Sequence, residues 1–356
     1  MKNIAVVTLF ILLSITMGSA QTRVEKKVPT RATGNGVTYS LPKTSLTVTV
    51  EITKTTCKAG TYFRYAERHL GIKDAVIEDN VLYELGGITL VNKGIPDFSN
   101  TYVVEFRSGT VAPYVYLTED GLLCAINTEF VPAEPASVRK TGTTVSSEIN
   151  VTSVYTEEFL MAGSVVRQAE EAAKQIFRIR ESKMDILTGE AENMPRDGEA
   201  MKLVIKYLED QEKALTSLFA GSCTTETSYY DITFTPEDDI YDDVLFRFSK
   251  RQGMLDADDL GGEPVFISLH VTDRAPALTP REAERKEKAM KGIIYNLPGK
   301  ALVEIKTVQN MLYRGEVHVV QFGTRESLAP VMFEDRRNPV KVTFYPETGA
   351  IRQINQ

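Results

Sequence analysis

Carboxylates are the residues of this chain whose spacing comes nearest to a chemical arrangement. Glu237, Asp238, Asp239, Asp242 and Asp243 crowd one stretch, and Asp256, Asp258, Asp259 and Glu263 crowd a second around Gly261 and Gly262. Oxygen-rich loops of this kind suit a hard cation such as calcium. Counted from Asp256, acids fall at positions one and three and a glycine at six, which makes Asp256, Asp258 and Glu263 the candidate metal ligands. Position twelve is Ile267, where a calcium loop places a bidentate glutamate, so a solvated acidic turn is the expected reading.

Paired carboxylates also hydrolyse glycosides, which takes a cleft, a proton donor of raised pKa and usually aromatics that stack on the sugar. The chain has no Trp, which counts against both sugar cleavage and sugar binding. Its three histidines, His69, His270 and His318, stand in no metal-ligand spacing and none neighbours a cysteine. No nucleophile-elbow serine motif and no phosphate-cradling glycine loop is present. The residues therefore name no catalytic group and no cofactor. The net charge of −7 argues against nucleic acid, which selects a basic face.

Cys57, Cys124 and Cys223 are separated by distances that match no metal or redox motif. Three reduced, structural thiols are the expectation, and a Cys57–Cys124 bridge is the alternative.

The elements that must position these residues are legible in outline. Residues 1–20 have a charged start at Lys2, an apolar stretch from Ile4 to Met17, and the small residues Gly18, Ser19 and Ala20. This order reads as a secretory signal peptide cut after Ala20, and the apolar stretch is short for a membrane span. Residues 21–35 form a polar leader. Residues 36–130 read as a β-rich domain, in which Leu46, Val48, Val50 and Ile52 alternate with Thr47, Thr49, Glu51 and Thr53. Tyr62 to Leu70 reads as a short helix stopped at Gly71. Residues 131–155 are a Pro-, Ser- and Thr-rich connection.

Over 156–221 the period changes to that of helices. One long helix starts at a Thr156 cap and stops at Gly189; a second starts after Asp197 and stops at Gly221. Each carries an apolar stripe, and the short link between them predicts a long antiparallel helical hairpin. Arg180 falls on the stripe of the first helix and calls for a carboxylate from the second, Glu209 or Glu212. Residues 222–272 return to strand, 273–291 read as a linker or short helix, and 292–356 as a C-terminal β unit.

The two ends of the chain echo each other. Tyr39-Ser-Leu41-Pro42 and Tyr295-Asn-Leu297-Pro298 each lead into an alternating strand. Tyr116, Glu119, Gly121, Ile126 and Asn127 match Phe344, Glu347, Gly349, Ile354 and Asn355 in spacing, around what read as two hairpin turns. The expected fold class is thus α+β: two related antiparallel β units flanking a long antiparallel helical hairpin and additional strands.

Several stretches also carry a resemblance: Tyr39-Ser-Leu-Pro42, Ala59-Gly-Thr-Tyr-Phe-Arg-Tyr-Ala66, Glu119-Asp-Gly-Leu-Leu123, Ile176-Phe-Arg-Ile-Arg-Glu181, Leu215-Thr-Ser-Leu-Phe219 and Gln321-Phe-Gly323. Together they resemble an uncharacterised secreted family of gut-dwelling Gram-negative bacteria, over nearly the whole chain beyond residue 20. The resemblance implies export to the cell envelope and supplies no catalytic residues. The function expected from these readings is a soluble, non-catalytic binding or assembly module of the periplasm or cell exterior, with an envelope protein or a glycan as partner. The alternative is a hydrolase of glycans or peptides whose site is assembled from distant carboxylates.

Overall fold

A computed structural model describes residues 23–26, 36–105, 115–132, 154–191, 198–333 and 340–355. The expected signal peptide, most of the leader and connection, and the Asp197 cap lie outside the described residues.

Antiparallel strands dominate. The first sheet has the order β1-β3-β2-β6, with β1 Arg23–Lys26, β2 Gly36–Lys58, β3 Asn80–Glu105 and β6 Ser222–Phe234. The second has the order β11-β10-β9-β7-β8, with β7 Ile240–Ser249, β8 Gly253–Leu255, β9 Glu263–Asp273, β10 Ile293–Lys306 and β11 Met311–Leu328. The third has the order β13-β12-β5-β4, with β4 Val115–Leu117, β5 Leu123–Ile126, β12 Lys341–Phe344 and β13 Ile351–Asn355.

The alternation read in β2 sets the main core. Leu46, Val48, Val50 and Ile52 point inward and are buried with Phe246, Val265, Ile267, Leu269, Val303, Ile305 and Val319 of the second sheet. Each fully buried aliphatic side chain of this kind contributes roughly 1.5–3 kcal/mol. A second core lies at the other end of the two long hairpins. There Tyr39, Tyr102, Ile293 and Leu328 meet Ile126, Val342 and Phe344 of the third sheet.

Helices occupy the remaining volume. α1 (Ala66–Leu70) ends at Gly71, whose φ of 69° is the left-handed value that a glycine stop supplies. α2 (Glu157–Met161) is capped by Thr156, and α3 (Val165–Thr188) restarts with Ser164 accepting from the Arg167 amide. α4 is Gly198–Ala220 and α5 is Pro280–Ala289.

The expected fold class is overturned. Strand accounts for 48% and helix for 27% of the described residues, and the ends of the chain are not separate units flanking helices. β12 from one end pairs with β5 from the other through Val342↔Ile126, and both ends fill one core. No long helical hairpin organises the molecule. The helix expected to run unbroken from Thr156 stops at Ala162, whose extended backbone ends α2. Along α4 only Ala214, Leu215, Leu218 and Phe219 are buried, while Leu203, Val204 and Tyr207 stay exposed. The buried part is completed by Tyr62 and Ala66 of the β2–β3 connection, so these helices form a third core with that connection. A stripe at helical spacing records local amphipathicity; it does not record how much of the stripe a neighbour covers.

The Arg180 partner is Glu212, at 2.6 Å, with Lys183 on its other oxygen at 2.9 Å. Burial pushes the Glu212 carboxyl up, but the hydrogen bonds from Arg180 and Lys183 outweigh it and hold the group below its ordinary value. A carboxyl depressed by folding contributes stability that is present above its unfolded pKa and is lost as pH falls through the folded value. Acidification below about pH 4 is therefore expected to lower the protection of amides in the α3–α4 contact, measured as the exchange rate relative to the intrinsic rate at that pH. The same acidification should change protection less in Glu212→Gln, which has no proton to gain there.

Candidate functional site

Both long hairpins lose register at the Tyr-x-Leu-Pro segments. In the first, Ser40 pairs with Thr101 and Leu41 with Asp97, so Phe98, Ser99 and Asn100 have no strand partner in β2. In the second, Leu297 pairs with Thr324 and Gly299 with Val319. Extra residues on one strand bend it and open the ladder. The two openings meet, and side chains bridge them in place of strand pairing. The Tyr39 hydroxyl donates to Ile294 O at 3.1 Å and accepts from Ile294 N at 2.9 Å. Gln321 accepts from Thr44 N at 3.0 Å and donates to Thr44 O at 2.8 Å, as a strand residue would. The Thr44 hydroxyl accepts from Val320 N at 3.0 Å. Ser40 N donates to Gly121 O and Asn296 N to Gly349 O, so the echoed segments sit in the same local hydrogen bond.

Beside this junction lies a cleft of about 410 Å³. β2 contributes Leu41, Pro42 and Lys43, β3 contributes Asp97 and Asn100, and β10 contributes Asn296. β11 contributes Val320, Gln321, Gly323, Thr324 and Arg325, and the α5 region contributes Leu278, Ala283, Lys286, Glu287 and Met290. α5 is held by a capping box between Thr279 and Glu282 and by Lys286, whose ammonium donates to Thr324 at 2.7 Å and Glu326 at 3.0 Å.

The charges of the cleft are engaged in defined ways. Asp97 is buried and accepts from Ser99 N at 3.1 Å and from the Asn100 amide at 2.6 Å, with Lys43 at 3.7 Å. Arg325 donates through Nη1 to the Asn100 amide oxygen and to the Tyr102 hydroxyl. Burial raises the Tyr102 phenol, against the pull of Arg325, so the hydroxyl stays neutral. Asn296 is buried, and its Nδ2 donates to Pro42 O at 3.2 Å and Thr348 O at 2.9 Å. This arrangement can orient and neutralise a polar ligand. Asp97 accepts hydrogen bonds from its own loop, Glu287 is the second carboxylate of the lining, and among the described residues no cysteine, histidine or serine lines the cleft.

The residues singled out by spacing lie elsewhere. Asp238 pairs with Arg274 at 2.6 Å, and Asp239 accepts from Val271 N. Asp242 bonds Ser268 at 2.7 Å and Lys306 at 2.8 Å; the Lys306 hydrogen bond, then that of Ser268, holds its carboxyl below the ordinary value. Asp256, Asp258 and Glu263 surround a turn organised by an internal cation. Arg247 donates to Ala257 O at 2.9 Å and Gly262 O at 3.2 Å, and Asp259 accepts from Gly261 N. Among the described residues no group of three or more His, Cys, Asp or Glu side chains is placed to hold a metal ion.

His270 lies tilted against Tyr241, and His69 lies between Tyr65 and Phe219. Cys57 is bonded to Cys223, not to Cys124, because the register of β2 and β6 sets them directly opposite each other. Cys124 is buried, its thiol pushed up to about 11 by burial and by the Glu347 carboxylate, so it is no thiolate at neutral pH.

Sequence spacing missed Arg325 and Asn296, since each meets its partners only across the junction, and Asp97, whose loop forms only where the β2–β3 register slips. The signal in the sequence is indirect: the echoed Tyr-x-Leu-Pro segments and Gln321-Phe-Gly323 border the cleft.

Among the described residues no helix is long and apolar enough to cross a membrane. Comparison with curated proteins and with solved structures gave no match. A family model described as "Domain of unknown function (DUF4831)" matches residues 35–352, from the entry into β2 to the start of β13, and the chain belongs to that family.

Proposed function

We propose that the protein is an exported, non-catalytic module of the cell envelope, periplasmic or extracellular, that binds its ligand or partner in the cleft beside the hairpin junction. The composition of the cleft carries this reading. It gathers charged and amide groups fixed by hydrogen bonds around an apolar lining, its carboxylate Asp97 is held by its own loop, and among the described residues no cysteine, histidine or serine lines it. Sites that bind and orient have this character, while hydrolysis needs a positioned acid and base. The Cys57–Cys223 bridge supports export, since disulfides persist in oxidising compartments, as do the signal-like residues 1–20.

Ala283 lies on the cleft side of α5, a helix that buries none of its residues, so a larger side chain there fills the cleft without disturbing a core. Ala283→Phe is expected to leave the melting temperature within about 2 °C and to abolish capture of the partner retained from envelope extract by wild-type protein. Equal capture by both proteins, or turnover of a glycan or peptide by the wild type, would sink the reading. For export, mass spectrometry of protein recovered from a Gram-negative host is expected to show a mature chain starting at Gln21; a retained residue 1 would contradict it.

A further inference from the structure

We propose that the cleft takes a small ligand by its carboxylate, with Arg325 as the anion-binding residue. The ligand class we infer is an N-acylated α-amino acid, as at the C-terminus of a peptide. This deepens, and rests on, the reading of the cleft as a ligand site.

Of the cleft's three cations, Arg325 is the one with no ion pair among the described residues; the carboxylates Asp97 and Glu287 line the same cleft. Lys43 faces Asp97, and Lys286 faces Glu326. Arg325 is half-buried on β11, and among the described residues it meets no carboxylate; its Nη1 is spent on two neutral oxygens, those of Asn100 and Tyr102. Removing a guanidinium from water is costly unless an anion accompanies it. Anchoring one terminal nitrogen fixes the plane of the group and leaves Nε–H and Nη2–H as a fork, the geometry that takes a carboxylate through two parallel hydrogen bonds. The chain as a whole carries −7, so an anion held here is held by specific hydrogen bonds and not by bulk attraction.

Asn296 supplies the second contact. It is 2% exposed, and its two carbonyl partners identify the nitrogen, which turns the amide oxygen away from them. Asn296 lines the cleft, and its oxygen, bonded to no other described residue, is an acceptor for an N–H donor. Leu41, Leu278, Met290 and Val320 provide an apolar surface for a side chain. Asn296 and Arg325 are cross-strand partners in β10 and β11, so an anion site and an N–H acceptor stand side by side in a cleft that also has apolar lining, which matches the three parts of an acylated amino acid.

The test compares N-acetyl-L-leucine with N-acetyl-L-leucinamide, which keeps the shape and removes the charge. Titration into ¹⁵N-labelled mature protein is expected to shift the amides of Asn100, Asn296 and Arg325, with a Kd of about 1 mM for the acid. The amide should bind about tenfold or more weakly, and Arg325→Gln should weaken the acid by a similar factor while leaving the amide unchanged. Equal binding of acid and amide overturns the carboxylate assignment and leaves the cleft a ligand site. Absence of shifts with either probe also overturns it, and the Ala283→Phe capture experiment then decides separately whether the cleft binds anything. The comparison of the two probes on wild-type protein needs no variant, so a misfolded Arg325→Gln cannot rescue the proposal.

Discussion

Replacing Cys57 and Cys223 together by alanine is expected to lower the unfolding free energy by about 4–5 kcal/mol, the largest effect anticipated for this chain. The two cysteines are 166 residues apart, and a cross-link closing so long a loop removes more freedom from the unfolded chain than a short one. The loop holds β3, the third sheet's first hairpin, and helices α1 to α4, so the bridge restrains much of the fold. A urea titration with and without reductant measures the difference. Reductant should destabilise wild type and Cys124→Ala to the same extent and leave the double variant unaffected. Loss of the reductant effect in Cys124→Ala would mean that Cys124 is the partner of Cys57, against the register of β2 and β6.

Tyr39→Phe is expected to cost about 3 kcal/mol, far more than one exposed hydroxyl would. The hydroxyl serves the backbone N–H and C=O of Ile294 at once, in a core where Tyr39 is 1% and Ile294 3% exposed. Phenylalanine keeps the packing and leaves both backbone groups without a partner, and each unsatisfied buried group costs roughly 1–3 kcal/mol. Burial pushes the phenol far above its ordinary range, so it remains protonated and able to donate throughout the working pH range. A shift of the urea midpoint with unchanged slope checks the magnitude. A change below about 1 kcal/mol would mean that water or a shifted backbone replaces the hydroxyl.

These two predictions fall on residues of different legibility. Tyr39 stands in the echoed Tyr-x-Leu-Pro segment, so the sequence marks it as unusual, but its partner is 255 residues away. Cys57 and Cys223 are visible as cysteines, while their pairing follows from thirteen aligned residue pairs between β2 and β6. The strand pattern of β2 was readable because inward and outward positions alternate in type, Val48 and Val50 against Thr47 and Thr49. The glycine stops at Gly71, Gly189 and Gly221 were readable because positive φ favours one residue. The α+β expectation failed because helix stripes and strand runs were each recognised locally and then assembled by chain order.

Legible in the chain alone were the β character of residues 36–58, the helical period of 165–188 and 198–220, and the turn glycines Gly121 and Gly349. These are properties of neighbouring residues, carried by side-chain period and backbone preference. Only the tertiary structure decided that the two ends share a sheet, that Cys57 bonds Cys223, and that Arg325, Asn296 and Asp97 stand around one cleft. Each of those depends on register between strands distant in sequence, and a register is chosen by the burial of whole faces together, which no single segment encodes.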